Sequence, residues 1–208
     1  MKKTRFMLLA LVAALILMGA AYAAWTQSLT ITSTVETGEL FVKVDNRNTI
    51  VEVDKTGNGG YEPADVNIND VVKITGTESR KAGEGTTITK INYTLGNVYP
   101  GTRINSELAL TNLGTINASA SVADITIDNN LLWNALKISV NDQSVAGNTV
   151  EEKKADLRNK IEAAIAGLNS NTGSTLRIKQ EFPYSSGNET ENQTLNWSII
   201  VNFEQNTK

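Results

Sequence analysis

The sequence predicts a mainly β fold, a jelly-roll-like β-sandwich of about ten strands with one inserted amphipathic helix. Three observations lead there. Behind its first apolar stretch the chain is rich in Thr, Asn, Ser, Val and Ile, and the whole sequence has only three prolines, which favours strands joined by polar turns. Apolar residues recur at every second position in one segment after another, the period of a strand with one buried face. A single later segment has the period of an amphipathic helix instead.

The elements follow in chain order. Lys2, Lys3 and Arg5 precede an apolar run from Phe6 to Met18, and Gly19-Ala20-Ala21-Tyr22-Ala23 comes next. A charged start, an apolar middle and a small-x-small ending are the parts of a secretory signal peptide. Residues 1–23 therefore read as a leader cut between Ala23 and Ala24, with Ala21 and Ala23 as the small residues. Extended to Trp25, the same run reaches the roughly 20 residues that span a bilayer, so an uncleaved anchor is its other reading. What remains is about 185 residues, enough for one domain.

Trp25, Leu29, Ile31 and Val35 fall on odd positions, with Thr26, Ser28, Thr30, Thr32, Thr34 and Glu36 between them. Residues 24–36 thus form a candidate N-terminal strand ahead of a domain over 37–208. Glu39 to Val44 is the next strand, with Leu40, Val42 and Val44 on one face, and a short strand passes through Ile50, Val51 and Val53. Lys55 to Asp65 reads as a loop, because its Thr-Gly-Asn-Gly-Gly run tolerates positive φ and Glu62-Pro63 discourages helix. A strand at Val71 to Thr75, a polar loop from Gly76 to Gly85 and a strand from Thr86 to Leu95 follow.

In Tyr99-Pro100-Gly101-Thr102 the proline presets φ and the glycine accepts the positive φ of a type II turn. It launches Ile104 to Leu110. Asn112-Leu113-Gly114-Thr115 reverses the chain into Ile116 to Ile127, where the apolar parity moves from even (Ala118, Ala120, Val122) to odd (Ile125, Ile127). That switch predicts a bulge near Ala123. Asn130 to Leu136 reads as a short helical turn before a strand from Leu136 to Val140. Thr149 and Glu152 form a capping-box pattern, and Leu157, Ile161, Ala164, Ile165 and Leu168 share one helical face, so the helix is expected near 150–168, against the outside or end of a sheet. Two last strands carry Leu176, Ile178 and Phe182, and Leu195, Trp197, Ile199, Val201 and Phe203, with Ser185 to Thr194 expected as a polar hairpin loop between them.

Composition removes several kinds of function. The chain has no cysteine, so thiol chemistry and disulfides are excluded and its stability rests on burial and backbone pairing. It has no histidine, which removes the commonest general base and the commonest zinc ligand together. There are 19 basic and 22 acidic residues, and the leader holds three of the bases and no acid, giving the mature chain a balance of about −6. An acidic surface argues against nucleic acid and against an anionic membrane face.

With the leader, the strand behind it and the Pro-Gly turn in view, the chain resembles the TasA/camelysin family, including its archaeal bundling-pilus relatives. Three stretches carry the resemblance: the Ala24-Trp25 start running into Thr37-Gly38-Glu39-Leu40; Tyr99-Pro100-Gly101 with Leu110-Thr111-Asn112-Leu113-Gly114-Thr115; and the closing strand from Leu195 to Gln205. The resemblance implies a secreted, non-catalytic subunit of extracellular fibres, pili or biofilm matrix, trimmed by a signal peptidase. It also implies polymerisation with identical copies, by insertion of the freed N-terminal segment into a neighbour. Trp25, Leu29, Ile31 and Val35 would be the inserted side chains. No cofactor, metal or nucleic acid is expected, and membrane contact only through an uncleaved leader. The alternative is a monomeric or membrane-anchored cell-surface sandwich that binds a carbohydrate or a protein partner.

Camelysins have been called metallopeptidases, but a zinc site here would need carboxylates alone. Asp65-Val66-Asn67-Ile68-Asn69-Asp70 begins like a calcium loop, yet its sixth position is Asp70 and its twelfth Gly76, so it reads as a solvated strand edge. Five Asn-x-Ser/Thr sequons occur, at Asn92, Asn117, Asn188, Asn192 and Asn196, of which Asn188 and Asn192, in an expected loop, are the best placed for N-glycosylation. Trp133 and Trp197 could stack on sugars, although the regular alternation around Trp197 assigns it to the core.

Overall fold

The computed structural model describes residues 2–25, 38–80 and 87–206. They fall into two compact units, residues 1–37 and 38–208. Of the first unit the description gives one helix, α1 (Lys2–Trp25). Its side chains from Phe6 to Met18 are exposed and apolar on every face. The helix runs without a break through Ala21, Ala23 and Ala24, past the expected cleavage point. Trp25, expected to open a strand, is its last residue. Leu29, Ile31 and Val35 lie outside the described residues.

The second unit is mainly β. Its six-stranded sheet has the order β2 (Glu62–Pro63), β1 (Val42–Val53), β5 (Thr102–Asn112), β9 (Gly173–Glu181), β7 (Lys137–Val140) and β8 (Gln143–Ser144). Its four-stranded sheet has the order β3 (Val72–Arg80), β4 (Thr87–Leu95), β10 (Leu195–Gln205) and β6 (Ala118–Ile127). Every pairing is antiparallel. The alternation legible in β10 has a direct consequence, since Leu195, Trp197, Ile199, Val201 and Phe203 are all buried. From the other sheet β5 supplies Ile104, Leu108 and Leu110 to the same core. Burial of a side chain of this size contributes about 1.5–3 kcal/mol, and this is what joins the layers.

Three short or medium helices complete the unit: α2 (Ile68–Val71), α3 (Asn130–Ala135) and α4 (Val150–Ile165). The capping box at α4 forms as the sequence predicts. Thr149 Oγ1 accepts from Glu152 N at 3.2 Å, and Glu152 Oε2 accepts from Thr149 N at 3.3 Å. Leu157, Ile161 and Ile165 turn inward against β6, β7 and β9, so α4 closes one side of the core. The helix stops at Ile165 rather than Leu168, because Gly167 takes φ +76° and Leu168 exchanges backbone hydrogen bonds with Ala118.

Several expectations change. The strands expected at Glu39 to Val44 and through Ile50, Val51 and Val53 are one strand, β1, which starts only at Val42 and has a register shift between Asn46 and Asn48. Val42 is buried before the shift and Val51 after it, so the interruption is a bulge at Arg47 and not a turn. β3 continues to Arg80 through residues expected as loop, because backbone pairing with β4 carries polar side chains as readily as apolar ones. Ser185 to Thr194 is no hairpin, since β9 and β10 belong to different sheets, and the segment crosses between them with two 3₁₀ turns, Tyr184–Ser186 and Asn188–Thr190. The bulge expected near Ala123 is present: Val201 pairs with Val122 and Ile200 with Asp124, leaving Ala123 between them.

Candidate functional site

The two sides of the core are closed differently. α4 covers one. On the other, β3, the edge of its sheet, approaches β1, whose outer side is paired only by the two-residue β2 at Glu52 and Val53, and Gly76 of β3 faces the Val44 carbonyl. The two borders differ in kind. Asp45, Asn46, Arg47 and Asn48 of β1 are all exposed, Lys43 Nζ pairs with Asp45 Oδ1 at 2.9 Å, and the bulge falls among them. Charges and a bulge blunt a strand edge against further pairing.

β3 carries charges at Lys73, Glu78 and Arg80 but has no bulge. It pairs with β4 in nine consecutive steps, from Val72 opposite Leu95 to Arg80 opposite Thr87, with no shift of register. Among the described residues no strand lies on its other side. Ile74 is half-buried there, as is Val44, so apolar surface continues out to this border. A long, regular, bulge-free edge is a template for one more strand.

The described chain of this unit begins at the opposite end from the Tyr99-Pro100-Gly101-Thr102 turn. Thr115 N donates to Glu39 O at 2.8 Å, Glu39 N donates to Thr115 Oγ1 at 2.8 Å, and Leu113 N donates to Phe41 O at 2.7 Å. Gly114 is required for this approach, since a Cβ there would lie 2.2 Å from Glu39 O. Residue 38 therefore leaves beside the turn expected at Asn112 to Thr115.

The other end is ordered by Asp54. Its Oδ1 accepts from Gly57 N at 2.8 Å and Thr56 N at 3.1 Å, and its Oδ2 accepts from Gly59 N at 2.8 Å. Burial opposes ionisation, but the amides of Gly59, Thr56 and Gly57 outweigh it and hold this carboxyl below its ordinary range. Gly101 takes φ +90°, as the type II turn demands, and a Cβ on it would be 2.5 Å from Asp54 O. Beside this turn the Arg103 guanidinium stacks 3.7 Å from the Tyr61 ring and its Nε donates to Glu52 at 2.8 Å. Burial, then the neighbouring Glu181 carboxylate, push the Tyr61 hydroxyl up to about 12.

The residues expected to act elsewhere take these places. Trp133 and Trp197 are both buried, at 0% and 2% exposure, so neither is a platform for a sugar. Trp197 stacks on Tyr93 at 4.4 Å and Trp133 meets it edge-on at 5.6 Å, which makes the three rings a packing unit. Asp65 to Asp70 is not a strand edge: Asn67 caps α2 by accepting from Asn69 N at 3.1 Å. Among the described residues no three His, Cys, Asp or Glu side chains cluster to hold a metal. Asn188 and Asn192 are exposed in the crossover segment. Sequence reasoning missed Lys153, which is buried on α4 and donates from Nζ to the carbonyls of Trp133 and Leu136. Burial lowers it to about 8. Comparison of the chain with protein-family models, with curated proteins and with solved structures finds no match.

Proposed function

We propose that this protein is a secreted, non-catalytic structural subunit of extracellular fibres, pili or biofilm matrix, built as a jelly-roll-like sandwich and polymerising by donor-strand complementation. The observation that carries the reading is the border strand β3, long, regular and backed by the half-buried Ile74. A segment with apolar residues at alternate positions, as at Trp25, Leu29, Ile31 and Val35 with only Gln27 and Ser33 polar on that face, has the pattern such an edge accepts: main-chain hydrogen bonds give affinity and the apolar side chains enter the core layer.

Polarity supports the same reading. The described part of the domain begins at residue 38, beside the Asn112 to Thr115 turn at one end, and in this reading the residues that precede it are what another copy takes up. Donor and acceptor are different surfaces, and repeated contacts of that kind build an open filament unless the rotation closes. The absence of histidine and cysteine from the sequence fits a structural role.

Deleting residues 24–34 behind an intact leader tests it. The expected product is a secreted, folded, cooperatively melting monomer that forms no fibres under the electron microscope. Fibres from the deleted chain would overturn the reading.

A further inference from the structure

We propose that the outward face of the six-stranded sheet carries a binding site for a neutral saccharide. The site stands apart from the β3 border and holds whether or not the chain polymerises. Two cross-strand rows form it. Ile50, Asn105, Lys179 and Ser139 pair in succession across β1, β5, β9 and β7, and Asn48, Glu107 and Arg177 pair across the first three of those strands. Between and above the rows lies a concavity of about 330 Å³, bordered further by Asp142 from the turn between β7 and β8. That volume is at the lower end of the range of small-ligand sites.

Ser139 is the observation that points to a ligand. It lines the concavity at 5% exposure, yet its Oγ has no hydrogen-bond partner. A buried hydroxyl left unpaired costs about 1–3 kcal/mol, and native proteins rarely tolerate one without a reason. A hydroxyl both donates and accepts, as does every hydroxyl of a sugar.

The remaining chemistry selects the class. Glu107 and Asp142 bring two negative charges and Arg177 and Lys179 two positive ones, with Arg177 Nε 3.5 Å from Glu107 Oε2. These cancel, so the site offers no net attraction to phosphate, sulfate or a uronic acid, each of which would meet the two carboxylates. The amide of Asn48 adds a paired donor and acceptor, and Asn105, whose Nδ2 donates to Glu52 Oε2 at 2.6 Å, adds its carbonyl oxygen. Ile50, 42% exposed, supplies apolar surface for the C–H face of a pyranose ring. A lipid chain would need far more apolar wall than this.

The test is saturation-transfer NMR on the full chain, held in a detergent without a sugar headgroup. The probes are cellobiose, maltose and N,N′-diacetylchitobiose, with glucuronate as the acidic comparison. At least one neutral disaccharide is expected to receive saturation and glucuronate markedly less. Asn48→Ala, on an exposed side chain, and Ser139→Val are each expected to weaken the binding about tenfold, the equivalent of ~1.4 kcal/mol. Asn48→Ala keeps the wild-type melting temperature, so its loss of binding is separable from unfolding. No saturation of any of the three disaccharides overturns the proposal. So does binding that survives both substitutions, or glucuronate bound as well as the neutral sugars.

Discussion

The indole Nε1 of Trp197, on β10, donates to Oε1 of Gln180, on β9, at 3.0 Å, a side-chain hydrogen bond that crosses the core from one sheet to the other. Both residues are buried, and Gln180 Nε2 has no partner of its own. The bond therefore satisfies half of an amide that is otherwise stranded between the layers. Trp197→Phe should destabilise the protein by about 1–3 kcal/mol, the cost of leaving a buried acceptor unpaired. Adding Gln180→Leu removes the stranded amide and should restore part of that loss. Urea unfolding of the two single variants and the double variant measures the coupling; additive losses would show that the two side chains act independently.

Asp54 predicts an acid sensitivity. Its folded-state pKa is depressed, so the stability it contributes is present above its ordinary value and is lost as pH falls through the depressed one. Asp54→Asn should melt earlier than wild type at neutral pH, because one carboxylate oxygen that accepts backbone bonds becomes a donor. The gap between the two should close as pH drops below about 4. A gap that stays constant with pH in melting curves would assign the loss to loop packing and not to the ionised carboxylate.

Lys153 predicts the opposite end of the pH scale. Burial lowers its pKa from 10.5 to about 8, so between those values the unfolded chain holds a proton that the folded one has released. Stability from this group accordingly rises from pH 8 to 10.5 and is lost as pH falls through about 8. Lys153→Met strands the Trp133 and Leu136 carbonyls and should cost about 2 kcal/mol at neutral pH. It should also flatten the alkaline rise, which calorimetry at pH 7, 8, 9 and 10 resolves.

Much of this architecture is legible residue by residue, and the exceptions share a cause. β10 and α4 are clear because their periods are unbroken and their ends are marked, α4 by Thr149 and Glu152. The parity switch at Ala123 locates a real bulge, and deleting Ala123 should leave a cooperatively melting protein, since Val122, Asp124 and Ile125 then alternate inward, outward and inward opposite Val201, Ile200 and Ile199. The same kind of switch separates Val42 from Val51, but Arg47 and the two polar residues on either side of it hide the switch. Polar strands give no periodic signal, and for that reason β3 reads as ending at Thr75 in the sequence although its pairing runs to Arg80. The outward concavity is beyond sequence reading altogether, because Ser139, Asn48 and Arg177 come from three strands and meet only through sheet order.

The β3 border yields the last prediction. Thr75 is an exposed residue of that strand, and a lysine there keeps the pairing with β4, because backbone atoms alone make those bonds. A charge on an open edge obstructs the approach of another strand, by the need to desolvate an ammonium and, in a filament, by placing that charge beside each donor. Thr75→Lys should therefore leave the melting temperature of the monomer nearly unchanged, as surface substitutions generally stay within about 0.5 kcal/mol. In the proposed assembly it should lengthen the lag before fibres appear and reduce their yield in light scattering and electron microscopy. The matched change on β1, Asn46→Lys, should alter neither, because the bulge beside it already interrupts that edge. Equal inhibition by the two lysines would mean that net charge and not the β3 edge governs assembly, and unimpaired fibres from Thr75→Lys would place the acceptor elsewhere.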